Sequence, residues 1–364
     1  MPQTCARASR RGGGAIRRRA GAGARESHSP GPAAEPPGSG SGPEKDLSLF
    51  LQSGFNRFVF RWLPSCWSRA YLWLLGGLFF ALSPCKKAAI LRALEHHRRR
   101  FGVANTLSGL WRRVRGGILD HYHEKLMLGF KPLDRLGRRL EKGLEVEGWE
   151  HLEAARDRGK GLVVITAHYG AVEYLPLVLA QRGLAVSTMV HCKTASLRRR
   201  LEERATSFGA RLLDPKEGSV VFSALQHLRE NRLLMTQCDE VEMWRPYPDR
   251  ELEFLGLSLP LDRALDLLVH KSGAPAVFCL LHRLPGGRHR LEVRPLETRA
   301  ADGRRRSVSR QSLGLLGRRV VASPEAWYEW KKLDRFLPPL PEAEEFHHAA
   351  TVGLPARAAA GISR

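Results

Sequence analysis

The sequence predicts an α/β fold, a mainly parallel or mixed sheet flanked by helices, preceded by an N-terminal helical membrane anchor. Three observations carry this reading. Short apolar runs at residues 161–166, 184–190 and 233–236 alternate with longer segments of helical periodicity closed by glycines. The run Leu162, Val163, Val164, Ile165 is unbroken, as a strand buried on both faces requires. An aromatic-rich stretch with few charges occupies residues 47–85, ahead of these strands.

In chain order, residues 1–45 repeat Arg, Gly, Ser, Pro and Ala with almost no large apolar side chains, so ordering them would cost entropy without compensating burial. A disordered basic tail is expected there. Residues 46–86 are expected to form the membrane-associated helical segment. Its first part, 47–63, sets Phe, Leu and Val around Arg57 and Arg61, a pattern suited to a helix lying in the interface. Its second part, from Ala70 to Cys85, is 16 residues without a charge, short of the roughly 20 that cross a bilayer upright. A monotopic anchor is the favoured reading; a single span and a buried helical hairpin are the alternatives.

Residues 87–144 form a helical basic region, with helices expected at 88–111 and 117–143. A catalytic unit is expected over 145–340 and a flexible tail over 341–364. Within the unit the pattern gives a helix at 148–157, a strand at 161–166 and a helix at 171–181 stopped by Gly183. A strand at 184–190 follows, then a helix at 196–208 whose stripe is Leu197, Leu201, Ala205 and Phe208. Next come a strand at 210–213, a helix at 219–230 and a strand at 233–236. A helix at 262–271, a strand at 276–282, a turn at 285–287 and a strand at 290–293 complete the series, the last strands being antiparallel additions.

The formal charge of +22 includes separate runs at Arg98–Arg100, Arg198–Arg200 and Arg304–Arg306, so a polyanion is expected nearby. Zinc-finger spacing, an RNA-binding aromatic signature and helix-turn-helix punctuation are all missing from the sequence, which favours an anionic membrane surface over a specific nucleic acid. Six scattered cysteines without a CxxC pair point to a reducing compartment, and no metal site or cofactor is expected.

The chemistry concentrates in TAHYGAVEYLP. His168 and Glu173 stand five apart at the carboxyl end of a predicted strand, where α/β sheets gather reacting groups. A histidine there suits proton removal near neutral pH, and a carboxylate within reach would orient the ring. By spacing alone, the favoured reading is a turn-capping histidine and a solvated glutamate; the rest of the chain shifts it toward a site. Lys193 and Asp239 lie at two further predicted strand ends. Gly170 would let substrate approach without a Cβ, and N–H groups at the start of the following helix would face an oxyanion. Lys193, Arg198 and Arg204 are expected contacts for an acceptor phosphate, and Asp239 is expected with them in binding acceptor or donor. No G-x-S-x-G nucleophile elbow or Walker loop is present, so direct transfer is expected rather than a seryl intermediate.

From Val146 to about Leu333 the chain resembles the bacterial lipid A late acyltransferases, within the wider glycerophospholipid acyltransferase group. The segments that carry the likeness are EGWEHL from Glu147, TAHYGAVEYLP from Thr166, RENRLLMTQCDE from Arg229, FLG from Phe254, SGAPAV from Ser272 and PEAWYEW from Pro324. The resemblance implies a glycerolipid-acyltransferase-like fold and transfer of a fatty acyl group from acyl carrier protein or acyl-CoA to a lipid hydroxyl, with His168 as the catalytic histidine and Glu173 as its acidic partner. It also implies a bacterial inner membrane, while the scattered cysteines and flanking arginines place the bulk of the protein on its cytoplasmic face, monotopic or single-pass. Cys238, Asp239 and Glu240, where the family often shows aspartate followed by glutamine or histidine, depart from the pattern, as does the spacing of Trp327 and Trp330. These departures leave open a lysophospholipid or another glycolipid as acceptor. A non-catalytic lipid-binding protein on the same fold is the alternative of another class.

Overall fold

The computed structural model describes residues 54–190, 195–214, 220–241 and 245–338. Five helices lead the described chain: α1 (Gly54–Trp62), α2 (Ser65–Leu82), α3 (Pro84–Phe101), α4 (Leu107–Phe130) and α5 (Leu133–Lys142). The helix expected at 88–111 is broken because Gly102, at φ 61°, caps α3 in the left-handed region and Thr106 opens α4 by accepting from the Gly109 N–H at 3.2 Å. The one expected at 117–143 is divided at Pro132, which cannot continue α4 and instead precedes α5.

The α/β part runs β1 (Leu144–Glu147), α6 (Trp149–Arg156), β2 (Leu162–Thr166), α7 (Leu175–Gln181), β3 (Val186–Met189), α8 (Ala195–Thr206), β4 (Arg211–Leu213), α9 (Val220–Arg229) and β5 (Leu233–Gln237). There follow β6 (Pro246–Phe254), β7 (Leu257–Asp262), α10 (Ala264–Ser272), β8 (Ala276–Leu284), β9 (Arg288–Leu296), α11 (Val308–Ala322) and α12 (Trp330–Leu333). Seven strands form one sheet in the order β1-β9-β8-β2-β5-β3-β4, and β6 pairs with β7 in a separate antiparallel hairpin. Every neighbouring pair in the seven-stranded sheet is parallel except β8 with β9, the antiparallel addition expected late in the chain.

All five residues of β2 are buried, because the strand lies inside the sheet and both faces are covered. Its side chains alternate between two cores. Val163 and Ile165 join Phe278 and Leu280 of β8 beneath Ile90, Leu94, Leu110 and Val114 of α3 and α4. Leu162 and Val164 join Val277 and Cys279 beneath Leu136 and Leu140 of α5 and Leu152 of α6. The basic helical stretch thus contributes directly to both faces of the catalytic layer.

The first helices carry an unusual surface. On α2, Leu72, Gly76 and Phe80 are buried, and a Cβ at Gly76 would run into the Leu119 side chain of α4. The opposite side exposes Trp67, Leu74, Leu78 and Leu82, with Phe58 and Trp62 of α1 exposed beside it in sequence. No single described helix is long and apolar enough to cross a membrane. α2 and α3 meet that test only as a pair, bent by 95°.

Candidate active site

The parallel pairing of β2 with β5 is what builds the site. Thr166 is in register with Gln237, and the Cys238 N–H donates to the Thr166 carbonyl at 2.9 Å. Two residues further along each strand, His168 and Asp239 therefore face one another. The His168 backbone N–H donates to both Asp239 oxygens, at 3.1 and 3.0 Å, and its Nδ1 lies 3.0 Å from Oδ1. A carboxylate offers only lone pairs, so Nδ1 carries a proton. The indole Nε1 of Trp327 donates to Asp239 Oδ2 at 2.8 Å. Asp239 is almost wholly buried, so its charge is held by these donors rather than by water.

Around the other nitrogen stand two more carboxylates and a lysine. Nε2 of His168 lies 3.1 Å from Glu240 and 3.9 Å from Glu329, while Lys332 Nζ reaches Glu240 at 3.0 Å and Glu329 at 3.2 Å. Burial opposes a charged ring here, but Asp239, Glu240 and Glu329 outweigh it and push His168 up to about 10. Burial also opposes the charge on Glu240, yet its contacts with His168 and Lys332 hold it down at about 2. The more enclosed Glu329 is raised, by burial first and by its two acidic neighbours.

The segment after α11 clamps this loop. Tyr169 bridges Trp327, the Tyr328 N–H donates to the His168 carbonyl at 3.2 Å, and the Gly170 N–H donates to the Ala326 carbonyl at 2.8 Å. Trp330 is fully buried and packs edge-on against Trp327, with ring centroids 5.0 Å apart. Tyr328 stands edge-on to His168 and stacks face to face on His121 at 3.7 Å. Its hydroxyl is buried, has no hydrogen-bond partner and is held protonated well above the usual phenol range by burial.

Several expected site residues take other places. Glu173, expected to orient the His168 ring, turns to the far side of this aromatic stack, 3.6 Å from His121 Nε2 and 4.0 Å from Lys125 Nζ; Asp239 holds Nδ1 instead. The reason is local. After His168 the chain makes a tight turn and then a short 3-10 turn at Val172–Tyr174 before α7, rather than the single helix expected from 171, so Glu173 is carried away from the ring.

Gly170, at φ 59°, is required by close backbone approach, since a Cβ would overlap the Leu281 carbonyl of β8. Its N–H is spent on Ala326 and that of Ala171 on Leu281, at 2.7 Å, so neither is free for an oxyanion. Arg204 does not offer its guanidinium to an acceptor. It donates to the carbonyls of Leu128, at 2.8 Å, and Lys131, where α4 ends. Arg198 pairs with Glu202 one turn along α8 at 2.8 Å, and Lys193 lies outside the described residues.

Sequence reasoning did not assign roles to Trp327, Tyr328, Glu329, Lys332, Glu240 or His121. The signal was present for most of them, since Glu240, Trp327, Tyr328 and Glu329 lie within the two motifs RENRLLMTQCDE and PEAWYEW.

A strand-end histidine backed by a buried carboxylate, on a mostly parallel sheet whose leading helices expose apolar side chains, has the form of a membrane-associated transferase that activates a hydroxyl. Residues 123–332 match the bacterial lipid A biosynthesis acyltransferases, and the chain belongs to that family. It is an acyltransferase of membrane lipids, related to those of lipid A biosynthesis. No individually curated protein matches the sequence.

Proposed function

We propose that the protein moves a fatty acyl group from an acyl thioester, carried by acyl carrier protein or coenzyme A, directly to a hydroxyl of a lipid A precursor or related glycolipid. The observation that carries this reading is the contact between His168 Nδ1 and Asp239, locked by Trp327, at the mouth of β2. Asp239 fixes the tautomer that presents Nε2 to the acceptor and stabilises the imidazolium that forms. The acceptor hydroxyl takes the position of Glu240 at Nε2, gives up its proton there and attacks the thioester carbonyl. The tetrahedral intermediate collapses with loss of the thiolate, which recovers the proton from His168.

With the N–H groups of Gly170 and Ala171 already bonded, the oxyanion takes its hydrogen bond from the unspent Tyr328 hydroxyl. Glu173 acts on His121 and through it on the Tyr328 stack. The exposed face of α1 and α2 seats the protein monotopically on the cytoplasmic side of the inner membrane, with the surrounding cations on anionic headgroups.

The test is thiol release from an acyl thioester in the presence of a lipid acceptor. His168→Ala should lose at least about 10²-fold, the lower range for a general base, with an unchanged circular dichroism spectrum. Turnover within about threefold of the parent in a folded variant would remove His168 from this role.

A further inference from the structure

A concavity of about 570 Å³, whose lining does not include His168, lies between the start of α2, the end of α4, α5 and the β8–β9 turn. Its floor is buried and polar. Arg283 and Glu124 form a two-pronged ion pair there, at 2.6 and 2.9 Å, beside His123 and His289. Both imidazoles are kept neutral, at about 4, by burial first and by neighbouring arginines second. Nδ1 of His289, a residue only 8% exposed, is buried without a hydrogen-bond partner.

The rim is cationic. Arg69 is answered by Asp120 at 3.2 Å and Arg288 by Glu145 at 2.8 Å. Arg139 meets no carboxylate among the described residues. Its guanidinium reaches Ser65 Oγ at 3.3 Å and lies over Gly287, whose missing side chain keeps the mouth open. Three of the four lining guanidinium groups are thus answered by carboxylates, and Arg139 is left with N–H donors suited to a phosphate. The mouth is bounded by Ser65, Cys66 and Arg69, on the first turns of the helix that exposes Trp67, Leu74, Leu78 and Leu82. Trp67, exposed on the same helical turn, puts apolar surface at the end of α2 that bounds the mouth, which ties an anion held there to a lipid.

We propose that this cavity binds the phosphomonoester headgroup of a membrane lipid, with Arg139 as its principal partner. Arg139 donates two N–H groups to phosphate oxygens, and the neutral His289 ring supplies a further donor from the floor. The site goes beyond the acyl-transfer reading and rests on binding alone.

The experiment is co-sedimentation of the full chain with phosphatidylcholine vesicles doped with phosphatidic acid, compared with an equal fraction of phosphatidylglycerol, whose phosphate is a diester. We expect preference for phosphatidic acid. Arg139→Gln should cut that affinity roughly tenfold or more, the worth of a charged hydrogen-bonded pair, while leaving phosphatidylglycerol binding in place. Arg138→Gln, one residue away and paired with Asp134, controls for loss of charge on the same helix. His168→Ala should retain the preference even if acyl transfer is lost, so the two readings fail separately. Equal binding of the two lipids, or an Arg139→Gln protein that keeps the preference with an unchanged melting temperature, would overturn the site. Calorimetric binding of inorganic phosphate, abolished by Arg139→Gln but without vesicle discrimination, would assign the cavity to a soluble ion and overturn the lipid assignment.

Discussion

Among single residues, the carboxylate that serves His168 decides the chemistry. Asp239→Asn keeps the shape but removes the charge that holds Nδ1 protonated and steadies the imidazolium, and we expect a loss of about 10²-fold or more in kcat. Glu173→Gln, at a carboxylate that lies 3.6 Å from His121 Nε2, should cost less; a larger loss for Glu173→Gln than for Asp239→Asn would reverse the assignment. Tyr328→Phe should lower kcat by roughly 10²-fold, the usual worth of one oxyanion donor, with little change in KM.

The pH dependence has a definite sign. Because Asp239, Glu240 and Glu329 raise His168 to about 10, the ring is charged at neutral pH and must lose a proton to act as a base. The rising limb of kcat/KM, which reports the free enzyme, should therefore lie above the ordinary histidine range, and Glu240→Gln should move it to lower pH. A limb at the ordinary histidine value, unmoved in Glu240→Gln, would contradict this. The same shift is a stability statement. The folded value lies above the unfolded one of 6.5, so the ion pairs of His168 contribute fully below about pH 6.5 and are lost as the pH rises toward 10. The melting-temperature gap between parent and His168→Gln should narrow across that window.

At the scale of elements, the packing of α4 against the clamp segment is tight enough to test. A Cβ at Gly117 would overlap the Glu325 backbone carbonyl, which no side-chain rotation relieves. Gly117→Ala should cost about 1–3 kcal/mol, as overpacking does, and should loosen the segment that carries Trp327 and Tyr328, so activity should fall with stability in thermal melts and assays. On α2, Leu74→Glu with Leu78→Glu alters an exposed face without touching the buried Leu72, Gly76 and Phe80. Partition onto anionic vesicles should drop while the melting temperature stays within a few degrees; unchanged partition would show that another surface holds the membrane.

Across the whole molecule, the strands and helices of the α/β part could be read locally because each is short, periodic and punctuated. Leu162–Ile165 announced the buried strand, and the structure covers it on both faces. The β6–β7 hairpin was hidden because its turn places Leu255 at φ 52° beside Gly256, and a leucine in the left-handed region gives none of the usual turn signals. The site was half legible. His168 and Asp239 were each visible at a strand end, but their meeting depends on the register of β2 against β5 across 71 residues, which no local pattern encodes. Tethering by Trp327 depends on a still longer closure, 88 residues from Asp239. Glu173 looked like the partner because it was near in sequence, and the turn after His168 carries it elsewhere.

Transfer of an acyl group to a lipid hydroxyl by His168 is read most directly from the intact mass of the lipid. Purified protein, an acyl thioester and a phosphorylated glycolipid acceptor are incubated in mixed vesicles and the lipids weighed by mass spectrometry. An acceptor heavier by one ester-linked acyl group is expected, in step with thiol release, and that product should be lost in His168→Ala. Thiol release that yields only free fatty acid, or an acylated product formed equally by His168→Ala, would contradict it.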